Sequence, residues 1–270
     1  MIPSTPLQEM TFRNLRDYIY DRTGIFVPDS KKYFLENRLS HRILEKKLSG
    51  FEEYLRFLQS TANGELRGLY DAVTTNETYF FREPRQFDVL ANHILPRILE
   101  RNRGIKIWSA ACSTGEEPYT IAAVLKETAP FAKAKIFASD ISPTAIKSAR
   151  NGIYTSYSVR IIPPHYREKY FRSRGEIFEL DEGIRKSVTF LNVNLIDETQ
   201  VRAIRDVDVI FCRNVLIYFD DKSKRKAVSL MYDALGTDGV LLVGTSESLH
   251  NVTRALKPTV IDNVVIYRKA

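Results

Sequence analysis

The sequence predicts a doubly wound α/β domain that follows a small all-helical domain and is interrupted by an inserted element. From Leu7 to about Ala72, apolar residues recur with helical period and without strand-like alternation. After Gly104, short apolar runs alternate with amphipathic helices, and between Tyr154 and Lys186 this alternation breaks. A chain of 270 residues is long for one domain and short for three, which agrees with two unequal domains.

The N-terminal part predicts a bundle of four helices. Phe12, Leu15 and Ile19 share one face of the first helix, and Gly24 is a typical helix stop. Because every helix has an apolar stripe, we expect the stripes to be buried against one another. The other helices are expected at about 28–48, 51–60 and 65–73.

The remainder of the chain predicts a parallel sheet with helical crossovers. The segment from Tyr154 to Lys186 contains two prolines and a short alternating run, which predicts a helix and a small antiparallel hairpin. Strands are expected at 105–111, 135–139, 188–193, 207–212, 240–244 and 264–268, and helices at 117–127, 143–151 and 222–235.

Composition restricts the class of protein. No apolar run reaches the roughly 18 to 20 residues that span a bilayer, and the first ten residues lack signal-peptide features, so we expect a cytoplasmic protein without membrane insertion. Cys112 and Cys212 lie in apolar stretches, which argues against a disulfide or a metal site. The net charge of +7 favours an acidic partner, which could be nucleic acid, a membrane surface or a protein.

A turn of small residues, 109–119, joins the first predicted strand to a helix. Its glycine, Gly115, would let the backbone approach a ligand, and the helix N-terminus offers unpaired N–H groups. Phosphate is disfavoured because there is one glycine, no lysine follows, and Glu116 and Glu117 would repel it. Two carboxylates suit a cationic ligand such as S-adenosylmethionine; alternatively, they complement the helix dipole.

Polar residues also follow the other predicted strands. Asp140 lies 25 residues after Gly115, where an acidic residue can accept hydrogen bonds from ribose hydroxyls, although it also suits a strand-to-helix turn. Asn194 and Arg213-Asn214 follow two later strands, and this edge of an open α/β sheet binds ligands. The octet 76–83 is either part of a site or a linker with an aromatic anchor.

Together these motifs resemble the chemotaxis receptor methyltransferases, the CheR family, which methylate glutamate side chains of chemoreceptors. The motifs are N-E-T-Y-F-F-R-E from Asn76, W-S-A-A-C-S-T-G-E-E-P-Y from Trp108, A-S-D-I from Ala138, N-L at Asn194 and C-R-N-V-L-I-Y-F from Cys212. The resemblance covers nearly the whole chain. It implies a helical receptor-recognition domain (1–75), a linker and connecting helix (76–103), and a class I methyltransferase domain (104–270) with an inserted β-subdomain at about 154–187.

The resemblance also implies roles for individual residues. Arg82 would orient the acidic substrate, since its planar fork suits a carboxylate, and Tyr218 would lie beside it and donate a hydrogen bond. If the register is one residue off, Glu116 replaces Glu117 as a cofactor ligand. The S-adenosylmethionine site would be lined by Asn76, Thr78, Arg82, Glu117, Asp140, Asn194, Leu195, Arg213 and Asn214.

The implied reaction is attack of a glutamate carboxylate on the sulfonium methyl group. It needs no general base, because a carboxylate of pKa about 4.3 is ionised at neutral pH. None of the four histidines, His41, His93, His165 and His250, belongs to a matched motif, which agrees with a base-free reaction.

The sequence disfavours two other functions. A nucleic-acid methyltransferase is disfavoured because no N-P-P-Y or D-P-P-Y stretch follows the fourth strand and no Pro-Cys nucleophile is present. An inactive receptor-binding adapter is disfavoured because Arg82 and Tyr218 are both present. A methyltransferase acting on another protein remains an alternative. The expected partner is the cytoplasmic helical domain of chemoreceptors, without nucleic acid, and a monomer is expected.

Two features concern docking of the substrate. Lys31, Arg38, Arg42 and Lys46 are spaced seven, four and four residues apart, so they would share a helix face that complements acidic receptor helices. The alternative is a solvated face with local pairing to Glu45. The loop 172–176 of the inserted hairpin looks shorter than in relatives that bind a receptor's C-terminal peptide there, so such binding is not expected.

Overall fold

The computed structural model describes residues 6–60, 64–101 and 104–269, which divide into two compact units. The first comprises the described residues up to Thr75 together with Tyr218–Ser223, and the second comprises the rest. The sequence had assigned 218–223 to the C-terminal domain. Within the first unit, however, the Phe26 N–H donates to the Tyr218 carbonyl (2.9 Å), and Ile25 forms an antiparallel bridge with Phe219. The predicted domain limits at residues 1, 103 and 270 lie outside the described residues.

The first unit consists of α1 (Glu9–Thr23), α2 (Lys32–Glu45), α3 (Phe51–Ser60) and α4 (Gly64–Val73). Gly24 ends α1, as the sequence predicted, and it does so in the left-handed conformation (φ 74°). The second helix is shorter than expected, because Asp29–Lys31 form a 3₁₀ turn before it. Its inward stripe of Leu35, Leu39 and Ile43 is fully buried.

The second unit contains a seven-stranded sheet and a small three-stranded sheet. The last helix, α12 (Asp221–Ala234), has its first three residues in the segment Tyr218–Ser223 that belongs to the first unit. The elements in chain order are α5 (Pro84–Val89), α6 (Leu95–Leu99), β1 (Ile105–Ala110), α7 (Glu116–Thr128), β2 (Ala134–Asp140), α8 (Pro143–Asn151), β3 (Ile153–Thr155), α9 (Pro164–Tyr170), β4 (Phe171–Arg174), β5 (Ile177–Leu180), α10 (Glu182–Lys186), β6 (Val188–Asn192), α11 (Glu198–Val201), β7 (Val207–Cys212), α12 (Asp221–Ala234), β8 (Leu235–Val243), β9 (Leu256–Ile261) and β10 (Val264–Lys269).

The large sheet has the strand order β6-β2-β1-β7-β8-β10-β9. The first five strands are parallel, and β10 and β9 continue the sheet with antiparallel pairing. This confirms the predicted doubly wound α/β class. β9 was not predicted, because a proline inside a short run argues against a strand. It is an edge strand, and its Lys257 and Pro258 are exposed.

The segment 76–103, predicted as a linker and connecting helix, contributes to the core of the second unit. Phe80, Phe81, Phe87 and Leu90 are buried in the same cluster as the central strands. The inserted element contains the predicted helix and hairpin, and β3 adds a third strand to the sheet order β3-β5-β4. Among the described residues, every helix is too short or too polar to cross a membrane.

Candidate functional site

The carboxyl ends of four neighbouring strands, β6, β2, β1 and β7, form one edge of the large sheet. The polar residues that the sequence placed after these strands therefore lie along this edge. Asp140 ends β2 and pairs in register with Asn192 at the end of β6, while Arg213 follows β7 directly. The Asn192 side chain donates to the Asp140 carbonyl (2.7 Å), which links the first two strand ends.

The loop after β1 is held in a strained conformation by Asp140. Ala111 and Ser113 adopt left-handed backbone angles (φ 61° and 49°), which are uncommon for residues with a side chain. The Ser113 N–H donates to Asp140 Oδ2 (2.8 Å), and the Ser142 N–H donates to Oδ1 (2.9 Å). Asp140 thus stabilises its own strand-to-helix turn, which was the alternative prediction for this residue, and it also holds the loop after β1.

The glycine of this loop is required by packing within the protein. Gly115 has φ 94°, and a Cβ atom there would lie 2.9 Å from the Cβ atom of Ala149 and 3.1 Å from the Tyr119 ring. Close approach of α7 to α8 therefore explains the glycine, whereas the sequence analysis attributed it to approach of a ligand.

The two adjacent glutamates at the start of α7 have different surroundings. Glu117 accepts hydrogen bonds from the Ser109 hydroxyl (2.7 Å) and from the Arg213 guanidinium (2.9 Å). Glu116 is 2% exposed and accepts hydrogen bonds from the hydroxyls of Thr114 (2.6 Å) and Ser158 (3.1 Å). Burial raises the pKa of both carboxyls, and in Glu117 the charge of Arg213 opposes this rise.

A buried ion network surrounds Arg213, whose side chain is only 2% exposed. Its guanidinium contacts Glu117 and Glu83 (2.9 and 3.1 Å) and donates to the Arg82 carbonyl. Burial would raise the pKa of Glu83, but Arg213 and the hydrogen bonds from Thr245 and Asn214 together outweigh it, so this pKa is lowered. The Arg213 Nε–H is buried and has no hydrogen-bond partner among the described residues.

Asn214 is fixed by two carboxylates. Its N–H and that of Gly244 both donate to Glu247 Oε2 (2.8 and 2.7 Å), and its side chain lies 3.4 Å from Glu83 Oε1. Asn214, Glu83 and Phe81 all have left-handed backbone angles (φ 57°, 59° and 57°). Such strain persists only where surrounding contacts enforce it, and it is concentrated at functional sites.

The motif segment before α5 lies beside the loop after β1. The Ser113 hydroxyl donates to the Asn76 carbonyl (3.1 Å), and Thr78 is half-buried. Arg82 donates to the Glu77 carbonyl (3.2 Å), and its guanidinium lies 5.8 Å from the centroid of the Tyr79 ring. No carboxylate lies within 4.0 Å of this guanidinium in the described parts of the chain.

Asn194 and Leu195 follow β6. Asn194 Oδ1 accepts the Ile196 N–H (3.2 Å), and its own N–H donates to Gln200 (2.8 Å), while Leu195 is buried. Tyr218, the second predicted catalytic residue, belongs to the segment that packs with the helical unit. Its pairing with Arg82 stays a prediction.

The predicted docking residues have unequal environments within the helical unit. Lys31 ends the 3₁₀ turn, and Arg38 lies near the Thr75 hydroxyl (3.2 Å). Arg42 and Lys46 instead contact Glu65 (2.8 and 3.1 Å), whose side chain is 2% exposed. The charges of Arg42 and Lys46 are therefore partly neutralised by a buried carboxylate on α4. The docking role of all four predicted residues, which we call the basic stripe, stays a prediction.

Several residues that position the site were not predicted from the sequence. Ser113 holds both Asp140 and Asn76, Glu83 pairs with Arg213, and Glu247 holds Asn214. Glu83 ends the first motif and so had a sequence signal. Glu247 had none, because its partner lies 33 residues earlier in the chain.

The chemistry of this edge fits S-adenosylmethionine. Glu83, Glu117 and Asp140 lie at this edge together with Arg213, and carboxylates at this edge suit a positively charged ligand better than a phosphate. The unpaired Arg213 Nε–H can donate to a ligand carboxylate. The described residues contain no group of three or more His, Cys, Asp or Glu side chains that could hold a metal ion.

Comparison with known proteins gives the same picture. Residues 76–265 match the family model described as CheR methyltransferase, SAM binding domain, and residues 10–74 match its all-alpha domain. Chemotaxis protein methyltransferase 2 of Vibrio cholerae is 41% identical over 92% of this chain and 88% of its own length. The chemotaxis protein methyltransferase of Borreliella burgdorferi is 41% identical (86% and 85% covered), and that of Escherichia coli is 36% identical (92% and 87% covered).

Proposed function

The chain belongs to the CheR methyltransferase family, and from this premise we propose that it methylates glutamate side chains in the cytoplasmic helical domain of chemoreceptors. The products would be glutamate methyl esters that serve sensory adaptation. Its family establishes a methyltransferase that uses S-adenosylmethionine. The glutamate acceptor, the receptor partner and the cytoplasmic site of action are our proposals.

For the cofactor, the proposed ligands are the residues at the strand ends. Asp140 would accept the ribose hydroxyls, and Glu117 would attract the ammonium group, while the Arg213 Nε–H would donate to the carboxylate. The strained loops around Ser113 and Asn214 support this proposal, since their hydrogen bonds hold backbone groups in place before a ligand arrives. Asn76, Thr78, Asn194 and Leu195 would complete the site.

The proposal of an acidic acceptor rests on the environment of Arg82. When bound, the cofactor supplies an electrophilic methyl group. Arg82 is held by the Glu77 carbonyl and the Tyr79 ring and lacks a carboxylate partner among the described residues, so its planar fork can take a substrate carboxylate. A carboxylate is ionised at neutral pH and needs no base. Positioning then accounts for the catalysis, with Tyr218 proposed to donate a further hydrogen bond.

The test is transfer of a labelled methyl group to purified cytoplasmic fragments of chemoreceptors from the same cell. Alkali should release the label as methanol, because carboxyl methyl esters hydrolyse under conditions in which N-methyl groups survive. Arg82→Gln should lower the rate by about 100-fold or more while the protein stays folded, because misplacement of the reacting groups has effects of this size.

Matched controls are His165→Ala and His250→Ala, which should retain transfer because neither histidine belongs to the proposed machinery. Alkali-stable label, or label found on nucleic acid, would overturn the glutamate proposal. Loss of transfer in either histidine variant, with a normal fold and normal cofactor binding, would overturn the base-free reaction.

A further inference from the structure

An exposed arginine is stacked between two tyrosines beside the motif segment. The Arg160 guanidinium carbon lies 3.6 Å from the ring centroid of Tyr79 and 3.8 Å from that of Tyr157. Arg160 also donates to the Tyr157 carbonyl (2.6 Å). Cations on aromatic faces are stabilised electrostatically, and two such faces restrict the freedom of a long side chain. Arg160 is therefore held in one place although it is exposed.

This stack is anchored to the same segment that carries Arg82. The Tyr157 hydroxyl donates to Glu77 (2.9 Å), and the Phe80 N–H donates to the Ser158 carbonyl (3.0 Å). These contacts join 157–160, in the inserted element, to the motif segment on both sides of Tyr79. The position of Arg160 is therefore coupled to that of the predicted catalytic arginine.

The ring of Tyr79 lies near the guanidinium groups of two arginines. Arg82 lies 5.8 Å and Arg160 lies 3.6 Å from the same ring centroid, so the two guanidinium carbons are at most about 9.4 Å apart, the sum of these distances. Among the described residues, neither forms an ion pair within 4.0 Å, unlike, for example, the exposed Arg56 and Arg174. Two guanidinium groups that are held in place and lack carboxylate partners can each bind a carboxylate of a substrate.

We propose that Arg160 is a specificity-determining residue that binds a second acidic side chain of the substrate, next to the glutamate that Arg82 orients. On a helical substrate, side chains three or four positions apart are separated by about 5 to 6 Å between Cβ atoms, which the distance between the two arginines accommodates. The inference rests on the proposed function, because it presupposes that the acceptor is a glutamate.

The experiment measures transfer kinetics on a receptor cytoplasmic fragment whose acceptor glutamate has been mapped by mass spectrometry. The parent fragment is compared with forms in which each acidic residue within four positions of the acceptor is replaced singly by Gln. Arg160→Gln should raise KM for the parent about fivefold, with kcat nearly unchanged, which is the size expected for an exposed ion pair. One of the replaced acidic residues is expected to be the partner of Arg160. For the fragment that lacks it, the wild type and Arg160→Gln should have the same KM.

The control variant is Arg172→Gln, which removes an exposed positive charge from the same inserted element. It should leave KM for every fragment near the wild-type value, and Arg160→Gln should bind S-adenosylhomocysteine as the wild type does. The inference is overturned if the Arg160→Gln penalty is the same on every fragment, if Arg172→Gln produces an equal penalty, or if cofactor affinity falls. If the wild type labels no glutamate of the parent fragment, the proposed function fails and the inference falls with it.

Discussion

In the described residues, a buried carboxylate is paired with cations in the helical unit and a buried cation is paired with carboxylates in the second unit, so the two ion networks are built in opposite ways. In the helical unit, one buried acid, Glu65, is surrounded by the cations Arg42 and Lys46. At the sheet edge, one buried cation, Arg213, lies between the acids Glu83 and Glu117. The first network keeps its cations partly in solvent (18% and 35% exposed), whereas the second has all three side chains at 16% exposure or less.

The backbone beneath the two networks also differs. Arg42 and Glu65 lie inside regular helices, with the Tyr54 hydroxyl of a third helix donating to Glu65 (2.9 Å). Glu83, by contrast, has a left-handed backbone, and so does Asn214 beside Arg213. Beside the first network, Lys47 is left-handed (φ 58°), but it lies just after α2, where helices commonly end in this conformation. The strain around the second network shows that its charged groups are held by their surroundings, and their role toward a ligand stays a prediction.

The largest effect should come from removing the central cation. Arg213→Met leaves Glu83 and Glu117 buried without a partner, so we expect a loss of about 3 to 5 kcal/mol in the free energy of unfolding. Denaturant unfolding measures this loss, and calorimetry should show that affinity for S-adenosylhomocysteine falls as well. A triple variant that adds Glu83→Gln and Glu117→Gln should recover much of the stability but not the affinity. A triple variant no more stable than Arg213→Met would mean that lost packing, not unpaired charge, causes the destabilisation.

A smaller effect is expected from the opposite network. Glu65→Gln leaves two cations that can still reach water, and Arg42 keeps its contact with Glu45 (2.6 Å). We therefore expect a loss of about 1 to 3 kcal/mol, the usual range for an unsatisfied buried polar group, with unchanged affinity for S-adenosylhomocysteine. The same two measurements decide the outcome. A loss as large as that of Arg213→Met would show that exposure of the partners does not set the difference between the networks.

The contrast also shows what sequence can predict. Local signals located the strand ends and Gly24, because a strand or a helix stop is encoded within a few residues. Residues 218–223 and Glu247 act through contacts with distant parts of the chain, which no local pattern records. Spacing alone predicted one helix face for the four basic residues, but Lys31 lies in the 3₁₀ turn before α2 and Lys46 follows its last residue. Only the position of Glu65 on α4 reveals that part of their charge is neutralised.

Acid titration should separate two buried glutamates of the second unit. Glu116 has a raised pKa, so it favours folding below its unfolded pKa and loses this contribution as pH rises through the native value. Glu83 has a lowered pKa, so its contribution is present above the unfolded pKa and is lost as pH falls through the native value. Relative to the wild type, Glu116→Gln should gain stability as the pH rises from about 4 to about 8, because the raised pKa of Glu116 lies above the ordinary value. Glu83→Gln should lose stability mainly as the pH rises from about 2 to about 5, because the lowered pKa of Glu83 lies below that value. Each change amounts to about 1.4 kcal/mol per unit of pKa shift. Thermal unfolding at several pH values measures both, and parallel pH profiles for the two variants would contradict the opposite signs.

The smallest effect concerns docking. Within the basic stripe, we expect Arg38 to serve recognition of the substrate and Arg42 to serve stability. Arg38 contacts a hydroxyl and stacks 5.3 Å from the Phe34 ring, whereas the charge of Arg42 is neutralised by Glu65. If the stripe attracts acidic receptor helices, Arg38→Gln should raise KM about twofold to fivefold at low salt with little change in kcat or stability. Arg42→Gln should mainly lower stability, because it removes a partner of a buried carboxylate.

Salt provides the control for this last comparison. The effect of Arg38→Gln on KM should disappear as the Debye length falls from about 10 Å at 0.1 M to about 3 Å at 1 M, whereas the stability loss of Arg42→Gln, which involves a buried partner, should persist. Initial rates against receptor concentration at both salt levels, with thermal unfolding of the same samples, test the division. An Arg42→Gln variant that is fully stable but has a salt-sensitive KM would assign recognition to Arg42 as well, and Glu65 would then hold a docking residue in position rather than remove it from the docking surface.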